Sequence, residues 1–108
     1  MRLLAENEEA ALQEAKREIS RRFSLVTARL FGSKARGTAD AESDVDVLFV
    51  LESLDWEVER AVYEICFHAG LEHDTLLAPV VMSRQEAESP LTKATPFYQT
   101  VEREGVTL

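Results

Sequence analysis

Residues 30–51 read LFGSKARGTADAESDVDVLFVL, and this stretch decides the fold. An apolar run ends at Gly32 and Ser33, a basic turn with a second glycine follows, and Asp44 and Asp46 stand two apart at the start of another apolar run. The two runs predict two strands, and their short connection makes them antiparallel neighbours. Both pairs of residues are therefore expected at the same end of the sheet.

These four positions have the chemistry of a phosphate and metal site. Side chains two apart on a strand point to the same face, so Asp44 and Asp46 can converge on one or two metal ions. Mg²⁺ takes one or two protein carboxylates and completes its shell with water and phosphate oxygens. Gly32 allows the backbone to approach a triphosphate without a Cβ in the way, and Ser33 can donate its hydroxyl and N–H to phosphate oxygens.

The sequence before and within this stretch predicts a helix and two strands. Residues 4–23 place apolar side chains three and four apart between charges, which indicates an amphipathic helix, and the acids at residues 6–9 fit its solvated start. Residues 24–31 form the first strand. Residues 45–51 form the second, which should be central because it is nearly all apolar. The connection over residues 32–43 is a loop with room for one helical turn.

The sequence after this stretch predicts helices packed on the sheet. A second long helix, capped at Ser53 or Asp55, is expected to end at Gly70. A third strand follows over residues 75–82, where Pro79 indicates an edge strand or a bulge. A short helix and a last helix before the final glycine complete the order. The predicted fold is α+β, close to α/β, with a small mixed sheet of about three strands flanked by helices.

Composition limits the function classes. The 108 residues fit a single domain spanning 1–108, and a formal charge of −8 argues against a grip on a long nucleic acid, which needs a basic surface. Cys66 is the only cysteine, so no intramolecular disulfide forms. No run approaches the roughly 18 apolar residues of a membrane helix, and we expect a cytoplasmic protein. Trp56 and Phe67 are typical of core or interface positions.

The glycine-serine pair and the paired aspartates, with ten residues between them, resemble the signature of the DNA polymerase β nucleotidyltransferase superfamily. The short chain and the Ala35-Arg36-Gly37 element resemble, within that superfamily, the minimal nucleotidyltransferases of bacteria and archaea. The resemblance extends over nearly the whole chain in element order and is dense over residues 30–51. It implies a palm-like nucleotidyltransferase fold.

The resemblance also implies an activity and roles for single residues. The reaction would move a nucleoside monophosphate from a triphosphate, usually ATP, to an acceptor hydroxyl, with pyrophosphate released and Mg²⁺ required. By position, Gly32 and Ser33 would hold the β and γ phosphates, and Asp44 and Asp46 the metal ions. Arg36 would contact a phosphate, support the loop or make a surface salt bridge.

A third carboxylate, which in the family helps to deprotonate the acceptor, has no obvious counterpart. Residues 75–82 contain no acid, and the register that best fits the family pattern puts Pro79 at that point. Asp74, just before the strand, is the nearest substitute, and an exposed turn acid is the alternative interpretation.

The domain is too small to supply both a nucleotide site and a deep acceptor pocket, so something else is expected to present the acceptor. In the minimal nucleotidyltransferases this is commonly a helical HEPN toxin, and the resemblance implies an antitoxin that binds the toxin and adenylylates a tyrosine on it. Two alternatives stay open: an inactive nucleotide-binding subunit that blocks its partner sterically, and a small-molecule nucleotidyltransferase of the aminoglycoside-modifying kind. An oligomer is also possible.

Overall fold

The computed structural model describes residues 3–40 and 43–108. In chain order the elements are α1 (Glu6–Arg22), β1 (Leu25–Phe31), α2 (Gly32–Arg36), β2 (Val45–Leu51), α3 (Trp56–Glu72), β3 (Leu77–Ser83), α4 (Arg84–Glu88), α5 (Pro90–Lys93), α6 (Pro96–Glu104) and β4 (Val106–Thr107). Among these described helices, none is long and apolar enough to cross a membrane.

The strands form one mixed sheet in the order β3-β2-β1-β4. β1 pairs antiparallel with β2 and sets Phe31 opposite Asp46, while β3 pairs parallel with β2 and sets Ala78 beside Asp46. The predicted α+β class with a small mixed sheet is confirmed. The fourth strand was not predicted: the residues after Gly105 pair antiparallel with β1, but two residues carry no alternation that a sequence pattern can detect.

Helices cover both faces of the sheet, and the two faces hold separate apolar clusters. Val45, Val47 and Phe49 of β2 are buried in the cluster that includes α1 and α3, which is the main core. Leu48 and Val50 point the other way, into a smaller cluster with α4 and α6. β2 is therefore covered on both faces and paired on both sides, as the apolar run predicted.

The end of α3 differs from the prediction. Asp55 caps the helix as expected, accepting a hydrogen bond from the Val58 N–H at 2.9 Å, but the helix continues through Gly70 to Glu72. The Thr75 N–H donates to the Gly70 carbonyl at 2.9 Å, and a Cβ at Gly70 would clash with the Thr75 carbonyl oxygen. The predicted stop at Gly70 is wrong because this glycine makes room for the returning chain.

β3 lies at an edge of the sheet, as Pro79 predicted. Its parallel register with β2 runs without a shift and places Pro79 beside Val47. The helix that follows begins with a capping box, in which Ser83 accepts a hydrogen bond from the Glu86 N–H at 3.0 Å.

Candidate functional site

The turn after β1 packs directly against the second aspartate. Because Phe31 lies opposite Asp46, Gly32 begins α2 beside that carboxylate. A Cβ at Gly32 would clash with Oδ2 of Asp46, and the φ of +73° lies in the left-handed region that favours glycine. Space and backbone conformation both require glycine at this position, so the turn and the carboxylate form one site.

Ser33 occupies the first turn of α2, the single helical turn that the loop had room for. The Ser33 carbonyl accepts a hydrogen bond from the Thr38 N–H at 3.1 Å, and Gly37 ends the helix with a φ of +73°. The backbone around Ser33 is thus fixed by local hydrogen bonds, and its half-buried side chain lies next in sequence to the close contact at Gly32.

Asp44 and Asp46 lie at the start of β2, and the alternation of the strand puts them on the face that Leu48 and Val50 continue. Asp44 is exposed and Asp46 is half-buried. Burial raises the pKa of Asp46, the negative charge of Asp44 raises it further, and the positive charge of Arg36 acts against both. Two hard oxygen donors that repel each other are well suited to Mg²⁺, so these residues fit a divalent cation.

Arg36 connects the turn to the last helix. Its Nη1 lies 3.3 Å from Oε2 of Glu104, and both side chains are partly exposed. The surface salt bridge, one of the predicted alternatives for Arg36, is therefore present. The guanidinium is also close enough to Asp46 to influence its pKa. Because an exposed ion pair is weak, a more highly charged anion can compete with Glu104 for this side chain.

Lys34 is buried in an ion pair that the sequence analysis did not find. Its Nζ lies 2.6 Å from Oε2 of Glu8, and the two side chains are only 6% and 5% exposed. The same Nζ donates to the Asp40 carbonyl at 3.1 Å, and Glu8 Oε1 accepts from the Ala5 N–H at 2.8 Å. The interpretation of residues 6–9 as a solvated helix start is wrong for Glu8, because this carboxylate joins α1 to α2.

The strand position beside Asp46 carries no acid. Ala78 occupies it, whereas Asp74 lies four residues earlier, exposed in the turn before β3 with a φ of +54°. The Asp74 carbonyl accepts a hydrogen bond from the Asn7 side chain at 3.3 Å. Asp74 and Ser43 line a cleft of about 780 Å³ near the start of β2 and β3. The structure thus brings Asp44 and Asp46 together and leaves Asp74 outside the strand.

A second group of oxygen and nitrogen donors lies on the helices of the other sheet face. One ligand atom from each of Glu14, Glu72 and His73 lies within 4.8 Å of the others, and His73 Nε2 is 3.6 Å from Glu14 Oε1. No sequence spacing indicates this group, because α1 and α3 meet only in the folded chain. It is separate from the paired aspartates.

A mixed sheet whose glycine-serine turn packs against a paired-aspartate strand defines the nucleotidyltransferase class of domain. Residues 12–95 match the nucleotidyltransferase domain family, and the chain belongs to that family. Nucleotidyl transfer is accordingly its general activity.

Two individual proteins illustrate the relationship. A protein of Methanocaldococcus jannaschii named "putative protein adenylyltransferase" is 34% identical over 98 residues, which are 88% of this chain and 92% of the relative. The crystal structure of a "putative nucleotidyltransferase" from Sulfolobus solfataricus has a TM-score of 0.55 at 17% identity, with 96% of this chain and 87% of that chain covered. The second likeness concerns the fold alone.

Proposed function

We propose that this chain transfers AMP from ATP to a hydroxyl group on a protein. The observation that carries the proposal is the contact between Gly32 and Asp46, which unites a phosphate-binding turn with a metal-binding carboxylate. The name of the Methanocaldococcus jannaschii relative, a protein adenylyltransferase, supports a protein acceptor and ATP as the nucleotide.

Asp44 and Asp46 are the residues that would hold Mg²⁺. When bound, the ion neutralises charge on the phosphates and aligns them for displacement by the acceptor oxygen. Ser33 donates to phosphate oxygens from the turn, and Gly32 keeps the backbone close enough for this. Arg36 exchanges its exposed carboxylate partner for a phosphate oxygen. Alignment and charge neutralisation by these groups need no covalent intermediate on the protein.

Removal of the proton from the acceptor hydroxyl is the step that this site has the fewest residues to assist. Ala78 stands beside Asp46, and Asp74, the nearest acid before β3, lines a separate cleft that neither Asp44 nor Asp46 lines. A tyrosine hydroxyl has a pKa of about 10, far below that of an aliphatic alcohol, so it needs less help from a base. A weak base therefore favours tyrosine as the acceptor.

The partner that presents this tyrosine is, in our proposal, a HEPN-type helical toxin, and the chain is its cytoplasmic antitoxin. A domain of 108 residues has little surface left for an acceptor pocket of its own. An acceptor carried on a folded partner resolves this, because the partner supplies the binding energy and the positioning.

The direct test is a transfer assay. The chain is incubated with ATP labelled at the α-phosphate, Mg²⁺ and a HEPN protein encoded beside it. The partner should become labelled with the unaltered chain and stay unlabelled with Asp44→Asn or Asp46→Asn. Substitution of the labelled tyrosine by Phe should abolish labelling. An unlabelled partner in the presence of the intact aspartates would sink the enzymatic form of the proposal.

A second candidate is a nucleotide-binding subunit that blocks its partner sterically, and Ala78 beside Asp46 favours it. Calorimetry with ATP and Mg²⁺, combined with the transfer assay, separates the two candidates. Heat of binding that Asp44→Asn abolishes supports a working nucleotide site, and such binding without labelling of the partner supports the steric subunit. If neither the unaltered chain nor Asp44→Asn binds ATP, only a steric function without nucleotide remains. A small-molecule nucleotidyltransferase would require an acceptor pocket that additional helices normally provide.

A further inference from the structure

The outer face of α3 carries a row of large exposed side chains. Trp56, Tyr63, Phe67 and Leu71 are 67%, 43%, 56% and 65% exposed, and Arg60 lies among them. At 100° per residue these five fall within one narrow stripe, opposite the helix face that packs on the sheet. A groove of about 410 Å³ runs along Trp56, Arg60, Tyr63 and Phe67 of this row. We call this row the α3 stripe.

We propose that the α3 stripe is a homodimer interface, in which α3 of two copies packs antiparallel about a two-fold axis near Tyr63. The order of side chains supports a second copy of the chain as the partner. When two stripes are placed antiparallel, each side chain meets one that it can pack against. With the axis between residues 63 and 64, Trp56 meets Leu71 of the second copy. Arg60 meets Phe67 of the second copy, which is a favourable pairing of a guanidinium with an aromatic ring.

The charges beside the stripe fit the same arrangement. Arg60 Nε lies 3.1 Å from Oε1 of Glu64 within one helix, and both side chains are exposed. When two identical helices pack antiparallel about a two-fold axis, the residues flanking one side of the interface face the same side of the second helix. Arg60 and Glu64 flank the stripe on the same side, so Arg60 also approaches Glu64 of the second copy. Two arginines and two glutamates then alternate around the axis.

The area of the stripe matches a weak, reversible dimer. A fully buried aromatic side chain covers about 150–250 Å², so the exposed fractions of the three rings leave roughly 300 Å² to bury. Leu71 and the stems of Arg60 and Glu64 bring each copy to the order of 500 Å². Interfaces below about 1,200 Å² in total are those of weak complexes, and we expect a dissociation constant in the micromolar range or weaker.

Ionic strength provides a signature of this dimer. Each copy carries a charge of −8, so the two copies repel at long range. At about 150 mM salt the screening length is about 8 Å, and added salt weakens this repulsion more than the short-range contacts. Dimerisation should therefore strengthen with salt, whereas docking of a basic partner on the acidic residues of this helix face, Glu57, Glu59 and Glu64, would weaken with salt.

The dimer leaves the phosphate and metal site open. α3 packs in the core cluster on one sheet face, while Asp46 belongs to the other face with Leu48 and Val50. Variants of the α3 stripe should therefore leave nucleotide binding unchanged, which serves as an internal control for folding.

The test exchanges the charges of Arg60 and Glu64 and measures dimerisation by sedimentation velocity. Protein concentrations from about 1 to 200 μM, at about 150 mM salt, cover the range of the expected dissociation constant. The unaltered chain should dimerise, and Arg60→Glu alone or Glu64→Arg alone should weaken the dimer at least tenfold. An equimolar mixture of the two single variants should recover the dimer. In the mixed dimer, positions 60 and 64 of one copy again meet opposite charges at positions 64 and 60 of the other. In both single variants the contact within the helix stays broken, so recovery in the mixture arises only between chains.

Three results would overturn the proposal. An unaltered chain that stays monomeric at the highest concentration rules out the dimer. A dimer that neither charge reversal weakens uses another surface, and so does one whose mixed variants do not recover. Loss of the helical circular dichroism signal in a single variant is checked by the double variant Arg60→Glu with Glu64→Arg, which should fold and dimerise like the unaltered chain.

Discussion

Breaking the buried pair between Glu8 and Lys34 should destabilise the chain far more than an ordinary ion pair would. The atoms lie 2.6 Å apart, and the side chains are 6% and 5% exposed, so loss of either partner leaves a charge enclosed by protein. Removing one member of such a pair typically costs about 3–5 kcal/mol. That is a large part of the roughly 5–15 kcal/mol that stabilises a domain.

The substitutions can be chosen to isolate the charge. Glu8→Gln retains a side chain able to accept the Ala5 N–H and removes only the negative charge, while Lys34→Met keeps most of the volume of the lysine stem. For a domain of this size each kcal/mol shifts Tm by about 4–8 °C, so either variant should lose more than about 12 °C. The double variant should lose much less than the sum, because no charge is left unpaired.

The assay is urea and thermal unfolding followed by circular dichroism, with Glu18→Gln as a matched control on α1. Glu18 pairs with Arg21 at the surface, where side-chain exposures are 37% and 68%, and loss of such a pair costs about 0–1 kcal/mol. If Glu8→Gln and Lys34→Met behave like this control, the enclosed pair does not support the turn and the argument from burial fails.

Three further predictions concern the site. Gly32→Ala and Gly37→Ala share a φ of +73° and should each lose at least about 1–2 kcal/mol of stability, with the larger loss at Gly32, where the added Cβ meets Asp46. Only Gly32→Ala displaces Asp46, so it alone should abolish ATP and Mg²⁺ binding in calorimetry; equal binding by both would contradict the close contact. Burial and the charge of Asp44 raise the pKa of Asp46 in the folded state above its ordinary value of 3.8. Ionisation of Asp46 therefore opposes folding as the pH rises from 3.8 through the raised pKa. Asp46→Asn should have a higher Tm than the unaltered chain at a pH above that raised pKa. That advantage should vanish below pH 3.8, and a constant or reversed difference would show that the carboxylate is stabilising. Ala78→Asp places an acid beside Asp46 and should increase pyrophosphate release by about tenfold or more, as a positioned general base does, when ATP is saturating and the acceptor protein is present. An unchanged rate would show that the missing acid does not limit transfer.

Much of the fold could be predicted because its signals are local. The apolar run of β2 and the cap at Asp55 each depend on residues within a few positions, and both are where the sequence placed them. The close approach of the two motif halves followed from one antiparallel pairing. The partnership of Glu8 with Lys34 could not be predicted, because it depends on how α1 crosses the sheet.

The exposed aromatic residues show a second limit. Trp56 and Phe67 fit a core or an interface position by type, and both lie on the outer side of α3, outside the core. The helix has apolar residues around much of its circumference, so periodicity alone does not identify which side faces the sheet. Gly70 shows a different limit: its role is set by a close contact with Thr75, which lies five residues further along, and not by the end of the helix.

Pro79 has a consequence for how this chain behaves at high concentration. An edge strand exposes unpaired N–H and C=O groups that can recruit a strand from another molecule, and this growth leads to fibrils. Pro79 removes a donor from the middle of β3 without disturbing its register with β2. At the opposite edge β4 is only two residues long. Neither border offers a long continuous template, so the sheet resists extension by further strands and leaves association to the helices.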